Sequence, residues 1–425
     1  MEESFPFKFA LTDIGFSVVS LVLFVVDIVL DLWAVVSLYE EQKYLSMGLL
    51  IFLLLSSSVL QQIFSWLWYC DTSKELVSKV EKFIDRHRLM ALVHIFQLGV
   101  FLRFAAIMEI SVSSFKQNDL YQKGVAVYLN HDLSMLRLFE AFSESAPQLV
   151  LMTALIMETQ EMEPFTVAKI VGSLSSLSFT VLSYHRDMRA FIPEKLKMGW
   201  SSSAIYFLWN LFLIGPRVVC VSLFASVLPC YIAAHFLSLW TLLVLWAWWQ
   251  NTDFMDTKAG EWLYRATVGL IWYFSWFNVT SGNTKLIGII YHVVMGADTM
   301  LLLGLWWWRR SVESAHLSPF PINPYILIGL LMITYVLGVL LKLVYYWKLH
   351  PKHPKLTMQP DVKPQTPVRA AAAFSDIVDG PPMMRMMMLQ SLDVTETEPD
   401  HSVTPQTPLK GANKRMKCMA TNFYC

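Results

Sequence analysis

Long apolar runs fill the first 350 residues and stop there. Ten segments, at 11 to 38, 46 to 69, 88 to 112, 132 to 158, 165 to 190, 204 to 227, 231 to 250, 261 to 279, 286 to 308 and 323 to 347, each approach the ~20 residues a helix needs to cross a bilayer. The pattern changes at Pro351. Ten of the nineteen prolines lie in the 75 residues from there to Cys425, whereas the last of the sixteen tryptophans is Trp347. A stretch of Pro, Thr, Gln and charges with few large aliphatics cannot bury enough surface to offset the entropy of ordering. Residues 1 to 350 are therefore read as a membrane domain and 351 to 425 as a disordered cytoplasmic regulatory tail. The N-terminus has no small-residue cleavage site and leads into a run too long for a signal-peptide core, so it is expected to stay attached as a first span.

Basic residues set the sidedness. Lys74, Lys79, Lys82, Arg86 and Arg88 follow the second segment and place that linker, and with it the N-terminus, in the cytoplasm. Arg186, Arg189, Lys195 and Lys197 belong on the same side, as do Lys348, Lys352 and Lys355 at the start of the tail. These placements require one non-crossing segment among the third to fifth, with Pro147 in the fourth as the expected break, and another after the fifth. The expected fold is an all-α polytopic membrane protein. It has about eight transmembrane helices plus two re-entrant or partial helices, in two pseudo-repeated halves, with both termini cytoplasmic. Arg309 and Arg310 then lie outside, against the rule.

Composition agrees. Hydrophobic residues make up 55% of the chain and charged ones 16%, and a mean hydropathy of +0.46 is too apolar for a soluble domain of this size. Lys+Arg 33 balance Asp+Glu 33, which argues against a nucleic-acid reader. Five scattered cysteines without a CxxC pair point to neither a disulfide framework nor a zinc site. There is no Walker lysine loop, GxSxG or HExxH, so no enzymatic centre, cofactor or metal is expected.

The chemistry lies in charges at membrane depth. Asp27 and Asp31 are one turn apart on a single helical face, and Asp13 falls close to the same stripe. Arg137, Glu140, Glu144 and Gln148 repeat the spacing in the fourth segment, with Ser143 and Ser145 between them. Arg103, Arg217 and Asp298 add further ionisable groups. Each costs ~2.5 to 3.5 kcal/mol at a bilayer centre on insertion scales unless it pairs or is wetted. Mutual pairing of the acids with Arg103, Arg137 and Arg217 accounts for any one of them. The set, arrayed on two faces, favours a polar track for ions, solutes or lipid headgroups. A lipid scramblase, a solute or amino-acid transporter or channel, and a non-transporting scaffold all remain open at this point.

From Asp132-Leu-Ser-Met-Leu-Arg-Leu-Phe-Glu140 through Ser145-Ala-Pro-Gln148 the sequence resembles the XK-related membrane protein family. Asp27-Ile-Val-Leu-Asp31-Leu-Trp33, Phe64-Ser-Trp-Leu-Trp68, Ser183-Tyr-His-Arg186, Ile205-Tyr-Phe-Leu-Trp-Asn210, Glu261-Trp-Leu-Tyr-Arg265 and Tyr273-Phe-Ser-Trp-Phe-Asn278 follow in the family's order, over roughly residues 10 to 350. The resemblance implies eight spans with two embedded partial helices and ATP-independent movement of phosphatidylserine to the outer leaflet of the plasma membrane in apoptosis. It also implies a single-pass immunoglobulin-type glycoprotein partner of the basigin and neuroplastin kind. By the same resemblance Asp13, Asp27, Asp31, Arg103, Glu140, Glu144, Arg217 and Asp298 line the headgroup path, and Ser183 stands where close relatives carry an acid.

In the tail, Asp376-Ile-Val-Asp379-Gly380 has the DxxD-G form cut by executioner caspases. An arginine-lined pocket takes the last Asp, a polar pocket the first, and a small residue must follow the cut. Cleavage after Asp379 is expected to release an inhibitory tail, whose Met383, Met384, Met386, Met387 and Met388 offer a flexible apolar run for docking. The Thr-Pro pairs at Thr366, Thr404 and Thr407 and the sequon at Asn278 are assigned no role.

Overall fold

Apolar segments this long have no water with which to satisfy their backbone groups, so each closes its hydrogen bonds internally as a helix. The structure is a computed structural model that describes residues 11–72, 78–117, 120–159, 164–191, 198–279, 284–312 and 323–349, with Arg415 and Cys418. The first half comprises α1 (Leu11–Glu40), α2 (Tyr44–Thr72), α3 (Lys79–Arg86), α4 (Met90–Ile95), α5 (Gly99–Gln117), α6 (Leu120–Glu140), α7 (Ala146–Thr159) and α8 (Pro164–Phe191). The second comprises α9 (Trp200–Val227), α10 (Pro229–Trp249), α11 (Lys258–Phe274), α12 (Thr284–Val312) and α13 (Pro324–Val344). Among the described residues seven helices, α1, α2, α8, α9, α10, α12 and α13, are long and apolar enough to cross a membrane.

An eighth crossing is hidden by its polarity. α6, a π-helical turn at Ala141–Ser145 and α7 form one nearly continuous path from Leu120 to Thr159. Every residue from Gly124 to Phe142 is buried, because α2, α5 and α8 pack around it and screen it from lipid. A helix without a lipid face need not be apolar on any side, which is why residues 120 to 131 carry no span signal.

Pro147 does not break this path, contrary to expectation. Proline removes a donor and crowds the carbonyl four residues back. The π turn absorbs this by letting the N–H of Ala146 reach the carbonyl of Ala141, and α7 then runs on to Thr159. The partial helix of the first half lies in the third segment instead. There Gln97, at φ 63°, ends the turn after α4 and α5 begins at Gly99. The Gly99 N–H donates to Gln62 Oε1 at 3.1 Å, and a Cβ at this position would fall 2.8 Å from the His94 ring. In the second half α11 stops at Phe274, Ser275 turns extended, and the indole of Trp272 donates to the Phe277 carbonyl at 2.6 Å. Among the described residues this gives eight crossings, with α5 and α11 as partial helices.

The second half is held by close packing of α13 on α9. A Cβ at Gly338 would sit 3.0 Å from the Leu213 side chain and 3.1 Å from the Phe212 backbone. Gly338→Val is expected to force these helices apart at a cost of about 1–3 kcal/mol, visible as a lower midpoint in thermal unfolding of the purified protein.

Candidate functional site

The acidic face of α1 meets the polar face of the central path. Asp27 Oδ2 accepts from Ser145 Oγ at 3.2 Å. Asp31 Oδ1 accepts from Gln148 Nε2 and from Lys169 Nζ at 3.4 Å. The Lys169 ammonium also caps the Leu30 carbonyl at 3.0 Å. Glu140 takes hydrogen bonds from Arg137 and from Gln61 of α2, and the Arg137 guanidinium stacks over Phe24 at 4.5 Å. Asp27, Asp31, Glu140 and Glu144 are each 8% exposed or less. Among the described residues, these four buried carboxylates lie beside two cations, Arg137 and Lys169.

A second acidic layer lies near the start of α1. Arg186 Nη2 stands 3.9 Å from Asp13 Oδ1 and its guanidinium lies 4.1 Å over Phe16. Beside it, Ser17 donates to Asn130 Oδ1 and Asn130 Nδ2 to Asp187 Oδ1, both at 2.7 Å. Asp187 is one turn beyond buried Ser183 on the same face of α8, so this layer holds a carboxylate despite the serine. Fourteen residues separate Asp13 from Asp27, and at ~1.5 Å of rise per residue the two layers stand roughly 21 Å apart along α1. That is most of the thickness of a ~30 Å hydrocarbon core.

Arg103 and Arg217 join neither layer. Arg103 Nη1 faces Asp132 Oδ2 at 3.5 Å, donates to Ser65 Oγ and to the Ser65 carbonyl, each at 3.1 Å, and stacks on Tyr69 at 4.2 Å. Arg415 of the tail reaches the same Asp132 at 3.2 Å and lies 4.8 Å over Trp68. Tyr69 Oη donates to Glu81 Oε1 at 2.7 Å. In the linker helix α3, burial raises the Glu81 carboxyl above its ordinary range while the Tyr69 hydrogen bond and Arg103 oppose the rise.

In the second half Arg217 Nη1 pairs with Asp298 Oδ2 at 2.6 Å, and His235 Nε2 approaches Oδ1 of the same residue at 3.0 Å. Nε of Arg217 donates to the Tyr273 carbonyl at 3.1 Å and Nη1 to Thr299 Oγ1 at 3.0 Å. Of the mutual pairings open to the acids in the sequence, Arg217 therefore makes the one with Asp298 and none with Glu140 or Glu144. Arg137, on the same helix one turn before Glu140, neutralises that acid, and Arg217 spends its charge on α12. Arg217→Leu leaves the half-buried Asp298 without its guanidinium. A loss of about 3–5 kcal/mol is expected, partly recovered in Arg217→Leu/Asp298→Leu, with surface expression and thermal unfolding as the measurements.

Sequence reasoning missed Lys169, Asp132, Asn130 and Gln61. Lys169 had a signal, a lone cation inside the fifth apolar segment. Asn130 lay outside the marked spans, and Gln61 is a neutral group in an apolar run. Asp376, Asp379, Gly380 and the methionine run lie outside the described residues.

Comparison with known proteins matches this arrangement to one group. A family model described as XK-related protein covers residues 15–351. A protein named XK-related protein 8 from Tetraodon nigroviridis is 39% identical over 430 residues, covering 100% of this chain and 99% of its own. One of the same name from Gasterosteus aculeatus is 40% identical over 428 residues, covering 98% of each chain. That from Pan troglodytes is 38% identical over 344 residues, covering 80% of this chain and 85% of its own. With the family model spanning all the described crossings and two relatives aligned over nearly their whole length, this multi-pass membrane protein belongs to the XK-related family.

Proposed function

We propose that the chain is an ATP-independent phospholipid scramblase that exposes phosphatidylserine on the outer leaflet of the plasma membrane in apoptosis. The observation that carries this reading is the position of α1. Its aspartates face the protein interior at two depths, while Val18, Val22, Val29, Leu32 and Val36 on its other side are exposed. The polar layers are thus one helix away from lipid. A headgroup entering beside α1 meets carboxylates suited to its amine and the guanidinium groups of Arg186 and Arg137 suited to its phosphate. Its acyl chains stay in hydrocarbon throughout, so no charge is dragged through an apolar medium. Asp13, Asp27, Asp31, Glu140 and Glu144 form this path; Arg103 supports it by fixing α2 and α5 to the central path. Arg217 and Asp298 serve the second half.

The tail supplies the control. Arg415 is buried against Asp132 and Trp68, and Cys418 packs on the main core, so these two residues offer an anchor to the membrane domain. A caspase cut after Asp379 turns an intramolecular anchor into a separate fragment that dilutes away. Both termini are cytoplasmic on this reading, where the protease acts. The exposed apolar faces of the outer helices leave room for a single-pass glycoprotein of the basigin and neuroplastin kind. In dying cells that lack their own phosphatidylserine exposure, the wild-type chain is expected to restore annexin binding and Asp379→Glu to leave it at background. Equal annexin binding by an uncleaved Asp379→Glu protein would move the trigger elsewhere.

A further inference from the structure

We propose that the short helix α3 lies in the headgroup layer of the cytoplasmic leaflet, where its outer face holds an anionic phospholipid. This site uses the sidedness read from the basic linker and is independent of transport along α1. Its depth follows from α2, a candidate span from Tyr44 to Cys70. Near the end of that span Tyr69 donates to Glu81 Oε1 of α3 at 2.7 Å. One turn deeper Ser65 Oγ lies 3.0 Å from His94 Nε2 of α4, and Ser58 donates at 2.7 Å to Gln97 Oε1, just beyond α4. Eleven residues of α2 separate Tyr69 from Ser58, so at ~1.5 Å of rise per residue the chain from α3 to Gln97 descends roughly 16 Å from the end of the span toward its middle. At the top of this descent α3 is fixed to α5, where Glu109 accepts from Ser78 Oγ at 2.6 Å and from the Lys79 and Val80 N–H groups at 3.0 Å each.

Both short helices turn one face to α2 and the opposite face outward. On α3 Glu81 points to α2, and Lys79, Phe83 and Arg86, at i, i+4 and i+7, fall on the far side with Lys82 beside them. All four are exposed, Phe83 by 58%. Asp85, four residues after Glu81, falls on the Glu81 side instead. On α4 His94 points to α2, and the exposed Leu92, Ile95 and Phe96 occupy the far side. The outward surface is therefore cationic around one aromatic ring at the border of the span and apolar below it. A phospholipid has the same order, with its charge at the border and its chains beneath. Lysine and arginine stems lie along apolar surface while their charged ends reach the headgroups, and an anionic headgroup adds a Coulombic attraction that a zwitterionic one lacks. An acidic peptide would match the three cations but leave Leu92, Ile95 and Phe96 uncovered, whereas an anionic lipid covers both.

Photocrosslinking identifies the neighbour directly, with no transport in the readout. A photoreactive benzoylphenylalanine replaces Phe83 in one full-length protein and Ile95 in another. Each is purified and reconstituted in phosphatidylcholine vesicles that carry, at the same mole fraction, either phosphatidylserine or phosphatidylcholine with a radiolabelled acyl chain, and the captured lipid is counted after illumination. The probe at Phe83 is expected to capture phosphatidylserine at least about fivefold over phosphatidylcholine, because one cation near an anionic surface favours it by roughly that factor. Lys79→Gln/Lys82→Gln/Arg86→Gln is expected to bring the two lipids within about twofold at Phe83. Capture at Ile95, at acyl depth, is expected to be the same with and without these three changes, which shows that the variant is folded and inserted. Equal capture of the two lipids at Phe83 in the otherwise unchanged protein would overturn the proposal, as would a preference that survives in the triple variant. Lipid captured at Ile95 but none at Phe83 would put α3 in water and overturn it too. Crosslinks from Phe83 to a second copy, or to another part of the chain in place of lipid, would give the face a different occupant.

Discussion

Asp27→Leu/Asp31→Leu is expected to lower the scrambling rate of surface-expressed protein by at least about tenfold, more than either single change. The two carboxylates are adjacent on α1 and provide the acceptors that Ser145, Gln148 and Lys169 use. Removing them strips the upper acidic layer from the lipid side. Removal has a structural cost as well, because Lys169 is left buried without its carboxylate and breaking such a pair costs about 3–5 kcal/mol. Asp27→Leu/Asp31→Leu/Lys169→Met separates the two effects. Replacing the whole buried ionic group by apolar side chains is often neutral for folding, so the triple variant is expected to recover surface expression and remain inactive. Recovery of scrambling together with expression would show that the aspartates only neutralise Lys169.

Truncation after Asp379 is expected to produce phosphatidylserine exposure with no caspase present, at least about tenfold above the intact chain. The anchor offers a finer version. The Arg415–Asp132 contact joins two residues each 2% exposed, and a charge-assisted bond of this kind contributes about 1.5–3 kcal/mol. If it holds the closed state, Arg415→Ala raises basal exposure by roughly ten- to a hundredfold, since each ~1.4 kcal/mol is a factor of ten. Asp132→Asn serves less well because it also strips Arg103 of its carboxylate. Annexin binding in healthy cells is the readout. A truncated protein at the surface that still waits for a caspase would contradict autoinhibition.

The sequence disclosed the helices wherever a helix faces lipid, because there every exposed position must be apolar. It disclosed the α1 stripe and the Glu140–Gln148 stripe, each by itself, because helical spacing places i, i+4 residues on one face, while their meeting came only from the packing. It concealed the central path before Asp132, where burial inside protein relaxes the demand for apolar residues. The choice of partners was also hidden. Arg137, Arg103 and Arg217 are equivalent cations in one dimension. Only the packing of α5 on α6 and of α12 on α9 assigns Arg103 to Asp132 and Arg217 to Asp298. The π turn beside Pro147 is a local answer to a proline whose surroundings are fixed by tertiary packing, so the residue alone was read as a break.

The measurement closest to the central claim uses liposomes that contain both a leaflet-labelled phosphatidylserine and a trapped or external radiolabelled amino acid. Purified protein, intact or caspase-cut, is reconstituted without nucleotide, and lipid access to a membrane-impermeant quencher is followed alongside solute flux. The cut protein is expected to expose nearly all of the label while solute flux stays at that of empty liposomes, and the intact protein to expose only the outer leaflet. Solute flux that rises on cleavage while the inner-leaflet label stays protected would contradict the account and identify the charged layers as a solute pathway.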